Sequence, residues 1–80
     1  MEKLELKKEE LIFNNVKYII EIDDEFGNEI VKLRNTETGK YEERCLRDHT
    51  EVRIKSRENR NISKKFVNIL MKSRIITVKE

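Results

Sequence analysis

Eight consecutive residues decide the fold class: Val16-Lys17-Tyr18-Ile19-Ile20-Glu21-Ile22-Asp23. Successive side chains of a β-strand point to opposite faces of its sheet, and this stretch carries apolar side chains at every second position. It therefore predicts a strand with one face in a core and the other towards solvent. The core-facing side is predicted to hold Val16, Tyr18, Ile20 and Ile22; the opposite side holds Lys17, Ile19, Glu21 and Asp23.

The segments on either side of this strand predict further strands joined by short turns. Asn14-Asn15 predicts a tight hairpin turn after a strand end at residues 11–13, because asparagine tolerates positive φ. Turns are also predicted at residues 24–28, with positive φ at Gly27 and Asn28, at residues 36–39 and at residues 48–50. The intervening segments then predict strands over residues 29–35, 40–47, 51–57 and 74–79. The segment from Lys3 to Glu10 fits either a strand or a helical turn.

A short amphipathic helix is predicted before the last strand. Ser63 or Asn61 is suited to its N-cap, and Phe66, Ile69, Leu70 and Ser73 share one face at helical spacing. We also place Met71 on the packing face. Lys64 and Lys65 fall in the first turn, where a cation opposes the helix dipole at a cost of a few tenths of a kcal/mol, roughly.

The composition supports a mainly β fold. Isoleucine and valine dominate the apolar residues, while alanine, proline and tryptophan are absent, a pattern that favours strands over a helical bundle. We expect a single small domain over residues 1–80, with one short α-helix followed by a last strand. Its architecture is predicted to be an antiparallel meander or an SH3-like or OB-like partly open barrel.

The charges are unevenly distributed along the chain. Residues 1–30 carry nine acids against four bases, whereas residues 44–74 carry ten bases against three acids, within a net charge of +2. A polarised surface of this kind is suited to steering a charged partner. Two function classes follow, one for each half of the chain.

The first class is a nucleic-acid-binding module with RNA or DNA as its partner. Cationic side chains in the second half of the chain are suited to contacting a phosphate backbone with little sequence preference. Tyr41 and Phe26 offer aromatic faces for base stacking. The phosphate-contacting residues are predicted to be Arg53, Lys55, Arg57, Arg60, Lys64 and Lys65, with the first three pointing outward from one strand.

The alternative class is a small inhibitor or adaptor that binds a host protein or nucleoprotein complex. Short, highly charged chains are common among phage-type inhibitors, including anti-defence and anti-CRISPR-like proteins. An acidic turn would then form the contact surface by mimicking phosphates towards a basic groove. That turn comprises Glu21, Asp23, Asp24, Glu25 and Glu29. The charge pattern is also compatible with a homodimer.

Catalysis, metal binding and membrane insertion find little support in the sequence. Cys45 and His49, with Asp48 nearby, are the sharpest catalytic candidates, but an isolated cysteine more often acts as a small buried apolar residue. One cysteine and one histidine cannot complete a structural zinc site. We therefore expect no enzyme activity, no cofactor and no metal. The single cysteine, the lack of an apolar leader and the lack of a membrane-spanning run predict a cytoplasmic protein without membrane contact.

Overall fold

The structure, a computed structural model, describes residues 8–80 of the chain. The segment from Lys3 to Glu10 lies outside these residues up to residue 7. From Lys8 to Glu10 it is part of a strand. Within the described part, six strands, a short 3-10 helix and an α-helix follow one another. Their bounds are β1 (Lys8–Phe13), β2 (Val16–Glu25), β3 (Asn28–Asn35), β4 (Tyr41–Arg47), β5 (Glu51–Arg53), the 3-10 helix (Arg57–Asn59), α1 (Lys64–Lys72) and β6 (Thr77–Lys79).

The first four strands form an antiparallel meander in the order β1-β2-β3-β4. Asn14 and Asn15 form the first turn with φ values of 54° and 65°, which confirms the predicted hairpin. The second turn differs from the prediction. Glu25 pairs with Asn28, so the two-residue turn consists of Phe26 and Gly27, with φ values of 52° and 80°.

The strand register gives this sheet a core face and an outer face. Tyr18, Ile20 and Ile22 of β2 are buried on the core face, as the alternation predicts. Val31 and Leu33 of β3 and Cys45 of β4 fall on the same face by their pairing. The outer face carries the intervening residues of each strand, most of which are charged.

Helix α1 covers the core face. Ser63 is its N-cap, because the Ser63 hydroxyl accepts a hydrogen bond from the backbone N–H of Phe66 at 3.0 Å. Phe66, Ile69 and Leu70 are fully buried, and each contributes about 1.5–3 kcal/mol through burial. Ser73 is buried with them, as predicted. Met71 does not belong to the packing face, since 62% of its surface is exposed.

The last two strands depart from a simple meander. β5 ends at Arg53 instead of continuing to Arg57, and β6 comprises only three of the six residues predicted for it. β5 and β6 pair in parallel, because the connection between them includes α1 and crosses over instead of turning back. The four-stranded sheet stays open within the described residues, so the meander alternative, and not the barrel, describes the fold.

Candidate functional site

The acidic turn is largely neutralised by cations of the same sheet. Glu21 and Asp23 lie on the outer face of β2, and Glu25 follows them on the same face. Each carboxylate reaches a cation on a neighbouring strand. The pairs and their N–O distances are Glu21–Arg34 at 3.3 Å, Asp23–Lys32 at 3.0 Å, Glu25–Lys32 at 2.8 Å, Glu25–Arg44 at 2.9 Å and Glu29–Arg47 at 2.7 Å.

These pairs change the titration of the groups that form them. The hydrogen bond from Lys32 lowers the pKa of the Glu25 carboxyl, and the nearby Arg44 charge lowers it further. The same hydrogen bond from Lys32 to Glu25 raises the pKa of the lysine. The Tyr41 hydroxyl donates to Glu21 at 2.9 Å, and this contact raises the pKa of Tyr41. The outer face is thus a connected set of paired charges.

Asp24 is the exception in the acidic turn. Its side chain is exposed and forms no ion pair or hydrogen bond with any other residue in the range 8–80. Of the five carboxylates predicted to contact a partner protein, it is the one that keeps an unpaired charge among the described residues. The acidic turn therefore presents much less free negative charge than its sequence indicates.

The predicted basic residues follow the opposite pattern. We define the basic segment as residues 53–64, from the end of β5 to the first residue of α1. Its cationic side chains are exposed, and four of the five form no ion pair or hydrogen bond in the described part of the chain. These four are Lys55, Arg57, Arg60 and Lys64.

Arg53, the fifth cation of the basic segment, is loosely held. Its guanidinium lies 3.5 Å from carboxylate oxygens of both Asp48 and Glu51, and its side chain is 57% exposed. An exposed pair at this distance contributes little to stability. Arg53 is therefore free to exchange these contacts for a phosphate.

Lys65 is in a different environment from the other predicted basic residues. Its ammonium group donates to Glu42 at 2.9 Å and to the Tyr18 hydroxyl at 3.3 Å. The hydrogen bond to Glu42 raises the pKa of Lys65 and lowers that of Glu42. Lys65 thus links α1 to the meander, and it is less available to an external anion than Lys64.

Asn59 fixes the basic segment along the free edge of β4. Its side-chain oxygen accepts a hydrogen bond from the backbone N–H of Leu46 at 2.9 Å, and its amide nitrogen donates to the Leu46 carbonyl at 2.9 Å. The amide also donates to the Arg53 carbonyl at 3.2 Å, and the whole residue is only 3% exposed. The side chain therefore pairs with β4 as another strand would. Arg57 and Arg60 lie on either side of this anchor.

A second anchor closes the segment. The backbone N–H of Ser63 donates to a carboxylate oxygen of Glu43 at 3.1 Å, and the Ser63 hydroxyl donates to the other oxygen of the same carboxylate. Glu43 also supplies the negative charge that the first turn of α1 lacks in its own sequence. The middle of the segment, at Asn59, and its C-terminal end, at Ser63, are therefore tied to β4.

Sequence reasoning missed two participants in this surface. Lys79 lies beside Arg53 in the parallel β5–β6 register, and both line a depression with Lys55. The parallel pairing that brings Lys79 there has no local sequence signal. Asn59 has only a weak sequence signal, an asparagine between charged residues after a short strand.

A cleft of about 300 Å³ lies beside the basic segment. Asn28, which directly follows the turn at the tip of the β2–β3 hairpin, lines it together with Arg53 and Ser56. The cleft therefore connects the tip of the meander to the cations that follow β5. The rest of its lining comprises Leu46, Arg47, Asp48, Glu58 and Asn59.

Cys45 and His49 do not come together. Cys45 faces the core, where burial, with the Glu43 charge nearby, raises the pKa of its thiol to about 12. His49 is 93% exposed in the turn after β4. Such a thiol is not activated as a nucleophile. Across residues 8–80, no three side chains among His, Cys, Asp and Glu are arranged to hold a metal ion.

Neither α1 nor any other helix among residues 8–80 has the length and apolar character needed to cross a membrane. Comparison of the chain with protein-family models, with curated proteins and with solved structures finds no match. The proposed function therefore rests on the geometry of the described residues.

Proposed function

We propose that this protein is a non-enzymatic module that binds the phosphate backbone of RNA or DNA through its basic segment. The observation that carries the proposal is the group of exposed cations without internal partners in the described chain: Lys55, Arg57, Arg60 and Lys64, with Arg53 loosely held beside them. We further propose that it acts in the cytoplasm.

Unpaired cations are well suited to this role. Each one that contacts a phosphate releases condensed counterions from the nucleic acid, and this release provides most of the affinity of non-specific binding. A cation already paired within the protein must give up that pair before it gains a phosphate. The basic segment has few such pairs to break.

The way in which the segment is held supports the same function. Lys64 begins α1, where its charge opposes the helix dipole and no acidic residue of the first turn offsets it. Asn59 and Glu43 fix the backbone of the segment against β4. The backbone that carries the cations is thus fixed before binding, which reduces the entropy lost when a phosphate chain binds.

The alternative, a phage-type inhibitor that docks through its acidic turn, has weaker support. Glu21, Asp23 and Glu25 are engaged by Lys32, Arg34 and Arg44. A partner's basic groove would compete with these internal cations for the same carboxylates. Within the acidic turn, only Asp24 offers a carboxylate without a partner among the described residues.

The test is a fluorescence-anisotropy titration with labelled 20-nucleotide single strands and 20-base-pair duplexes at 50 and 200 mM salt. The triple variant Lys55→Ala/Arg57→Ala/Arg60→Ala removes three cations of the basic segment. The matched control, Lys8→Ala/Lys17→Ala/Lys40→Ala, removes the same number of exposed cations from the meander. Both variants therefore have the same net charge.

We expect the segment variant to lose affinity by about a hundredfold and the salt dependence to flatten by about 0.7–0.9 in log–log slope for each phosphate contact removed. The control variant should lose no more than a few-fold. Equal losses in the two variants would mean that net charge alone determines binding, and the proposal would fail. Absence of binding by the wild type at 50 mM salt would also overturn it.

A further inference from the structure

The tip of the β2–β3 hairpin carries an aromatic side chain in full contact with solvent. Phe26 is 101% exposed and has a φ of 52°. Two-residue turns of this geometry strongly favour asparagine, aspartate or glycine, because other residues are strained at positive φ. The same chain forms its first turn with Asn14 and Asn15 at comparable φ values. Phenylalanine is therefore unfavourable at this position on two counts.

Nothing in the described part of the chain compensates for these two costs. A fully exposed ring contacts no core residue, and residues held in strained backbone conformations cluster at positions that contact a ligand. The hairpin beneath it is well braced, since Lys32 bridges Asp23 and Glu25 and Arg44 also pairs with Glu25. Phe26 therefore lies at the tip of a hairpin whose strands are held together by these ion pairs.

The position of the hairpin indicates what the ring contacts. Asn28, two residues after Phe26, lines the same 300 Å³ cleft as Arg53 and Ser56 of the basic segment. A nucleic acid held by its phosphates on that segment would pass beside the hairpin tip. Bases of a single strand are free to stack on an exposed aromatic ring, and every base has a face that can do so.

We propose that Phe26 stacks on an unpaired base of a single-stranded nucleic acid whose phosphates lie on the basic segment. This inference rests on the proposed function and makes it more specific, because it predicts a preference for single strands over duplexes. Stacking of one base on an aromatic side chain contributes about tenfold in affinity. Base identity has little influence on such a contact.

The charge beside the ring provides an independent check. Glu25 is paired with two cations, but the Asp24 carboxylate is unpaired within residues 8–80. If a nucleic acid passes the hairpin tip, the Asp24 charge repels its phosphates. Asp24→Asn should then raise the affinity for a single strand by a few-fold at low salt. A protein partner with a basic rim around an apolar pocket would show the opposite sign.

The experiment compares Phe26→Asn and Phe26→Trp with the wild type on a 12-nucleotide single strand containing 2-aminopurine and on a 12-base-pair duplex. We expect Phe26→Asn to lose about tenfold in affinity for the single strand and to keep its affinity for the duplex. Phe26→Trp should retain single-strand binding. The salt dependence should be the same in all three proteins, because residue 26 carries no charge. Wild-type binding should also quench 2-aminopurine fluorescence more than binding by Phe26→Asn.

The outcomes separate this inference from the proposed function. Unchanged single-strand affinity in Phe26→Asn, together with a loss in the basic-segment variant, would overturn stacking and leave backbone binding in place. Equal losses for single strand and duplex would also overturn stacking. Binding of neither oligonucleotide by the wild type would overturn both proposals. Far-ultraviolet circular dichroism of each variant shows whether the hairpin fold is retained.

Discussion

The outer face of the meander and the basic segment both carry lysine and arginine side chains, but these side chains differ in whether they pair with carboxylates. On the outer face, Lys32 and Arg34 reach carboxylates on the neighbouring strand β2, and Arg44 of β4 reaches Glu25 of β2 across β3. In the basic segment, Lys55, Arg57 and Arg60 reach none within the described residues. The difference shows that charge content alone does not identify a binding surface in a chain this highly charged. It is also necessary to know whether each charge is paired within the protein.

The register of the sheet explains why one region is paired. Lys32 lies directly opposite Glu21, and Asp23 is its diagonal neighbour two residues further along β2. Directly opposite and diagonal positions of antiparallel strands bring side chains within reach of each other. The basic segment has few such neighbours, because after β5 the chain leaves the strand ladder and its residues have no cross-strand register partners.

The largest expected effect is on stability, when Asn59, which anchors the basic segment to β4, is replaced. Asn59→Ala removes three hydrogen bonds and leaves the backbone groups of Leu46 without their partner. We expect a loss of about 2 kcal/mol in the free energy of unfolding, measured by urea denaturation. Nucleic-acid affinity should also fall, since the cations on either side of residue 59 are no longer held. An unchanged stability would contradict the role of Asn59 as the link between the two regions.

A gain in stability is expected at the hairpin tip. Phe26→Asn replaces a strained aromatic residue with one suited to positive φ, and we expect an increase of about 1 kcal/mol in the free energy of unfolding. Urea denaturation measures this change. Asn14→Phe is the matched control, because it introduces the same strain into the first turn and should reduce stability. A loss of stability in Phe26→Asn would mean that the ring has a folding role.

A smaller effect, on the thermal midpoint, is expected to distinguish the replacement of a paired lysine from the replacement of an unpaired one. Lys32→Met keeps the apolar stem but leaves Asp23 and Glu25 without their shared cation. We expect its thermal midpoint to fall. Lys55→Met, the matched change in the basic segment, should leave the midpoint unchanged or raise it, because it removes repulsion among unpaired cations. Equal shifts in the two variants, measured by thermal denaturation at low salt, would remove the distinction between the two regions.

The smallest expected effect is the decline of folding stability at acidic pH. Contacts from Lys32 and Lys65 lower the pKa values of Glu25 and Glu42 in the folded state below the ordinary value of 4.5. A depressed carboxyl pKa contributes stability that is present above the unfolded-state pKa and is lost as pH falls through the folded-state pKa. Stability should therefore decline as pH falls below about 4.5. Urea midpoints measured from pH 6 to 3 test this, and Lys32→Met should show a shallower decline than the wild type.

Much of the fold was predictable because its signals are local. The alternation from Val16 to Asp23 predicted the central strand and its core face, and Asn14-Asn15 predicted the first turn. Spacing of apolar residues predicted the face of α1, with Ser63 as its cap. Each of these features depends on neighbouring residues, which the sequence shows directly.

The features that sequence reasoning missed depend on distant contacts or on unfavourable local choices. The parallel pairing of β5 with β6 requires the path of α1, and no local pattern marks it. The second turn falls within the predicted residues 24–28 and has positive φ at Gly27, but the other positive φ is at Phe26 and not at Asn28, because phenylalanine is a poor residue for that conformation. The positions of the basic residues along the chain are read directly from the sequence, but their pairing states depend on strand register and could not be derived from composition.

The most direct test is a proton–nitrogen NMR titration of the protein with a 12-nucleotide single strand at 50 mM salt. We predict shifts in the amides of residues 53–64 and 26–28, with little change in the amides around Lys32 and Arg34. Shifts centred on the outer face of the meander, or no shifts at all, would contradict the claim that unpaired cations, and not total charge, form the binding surface.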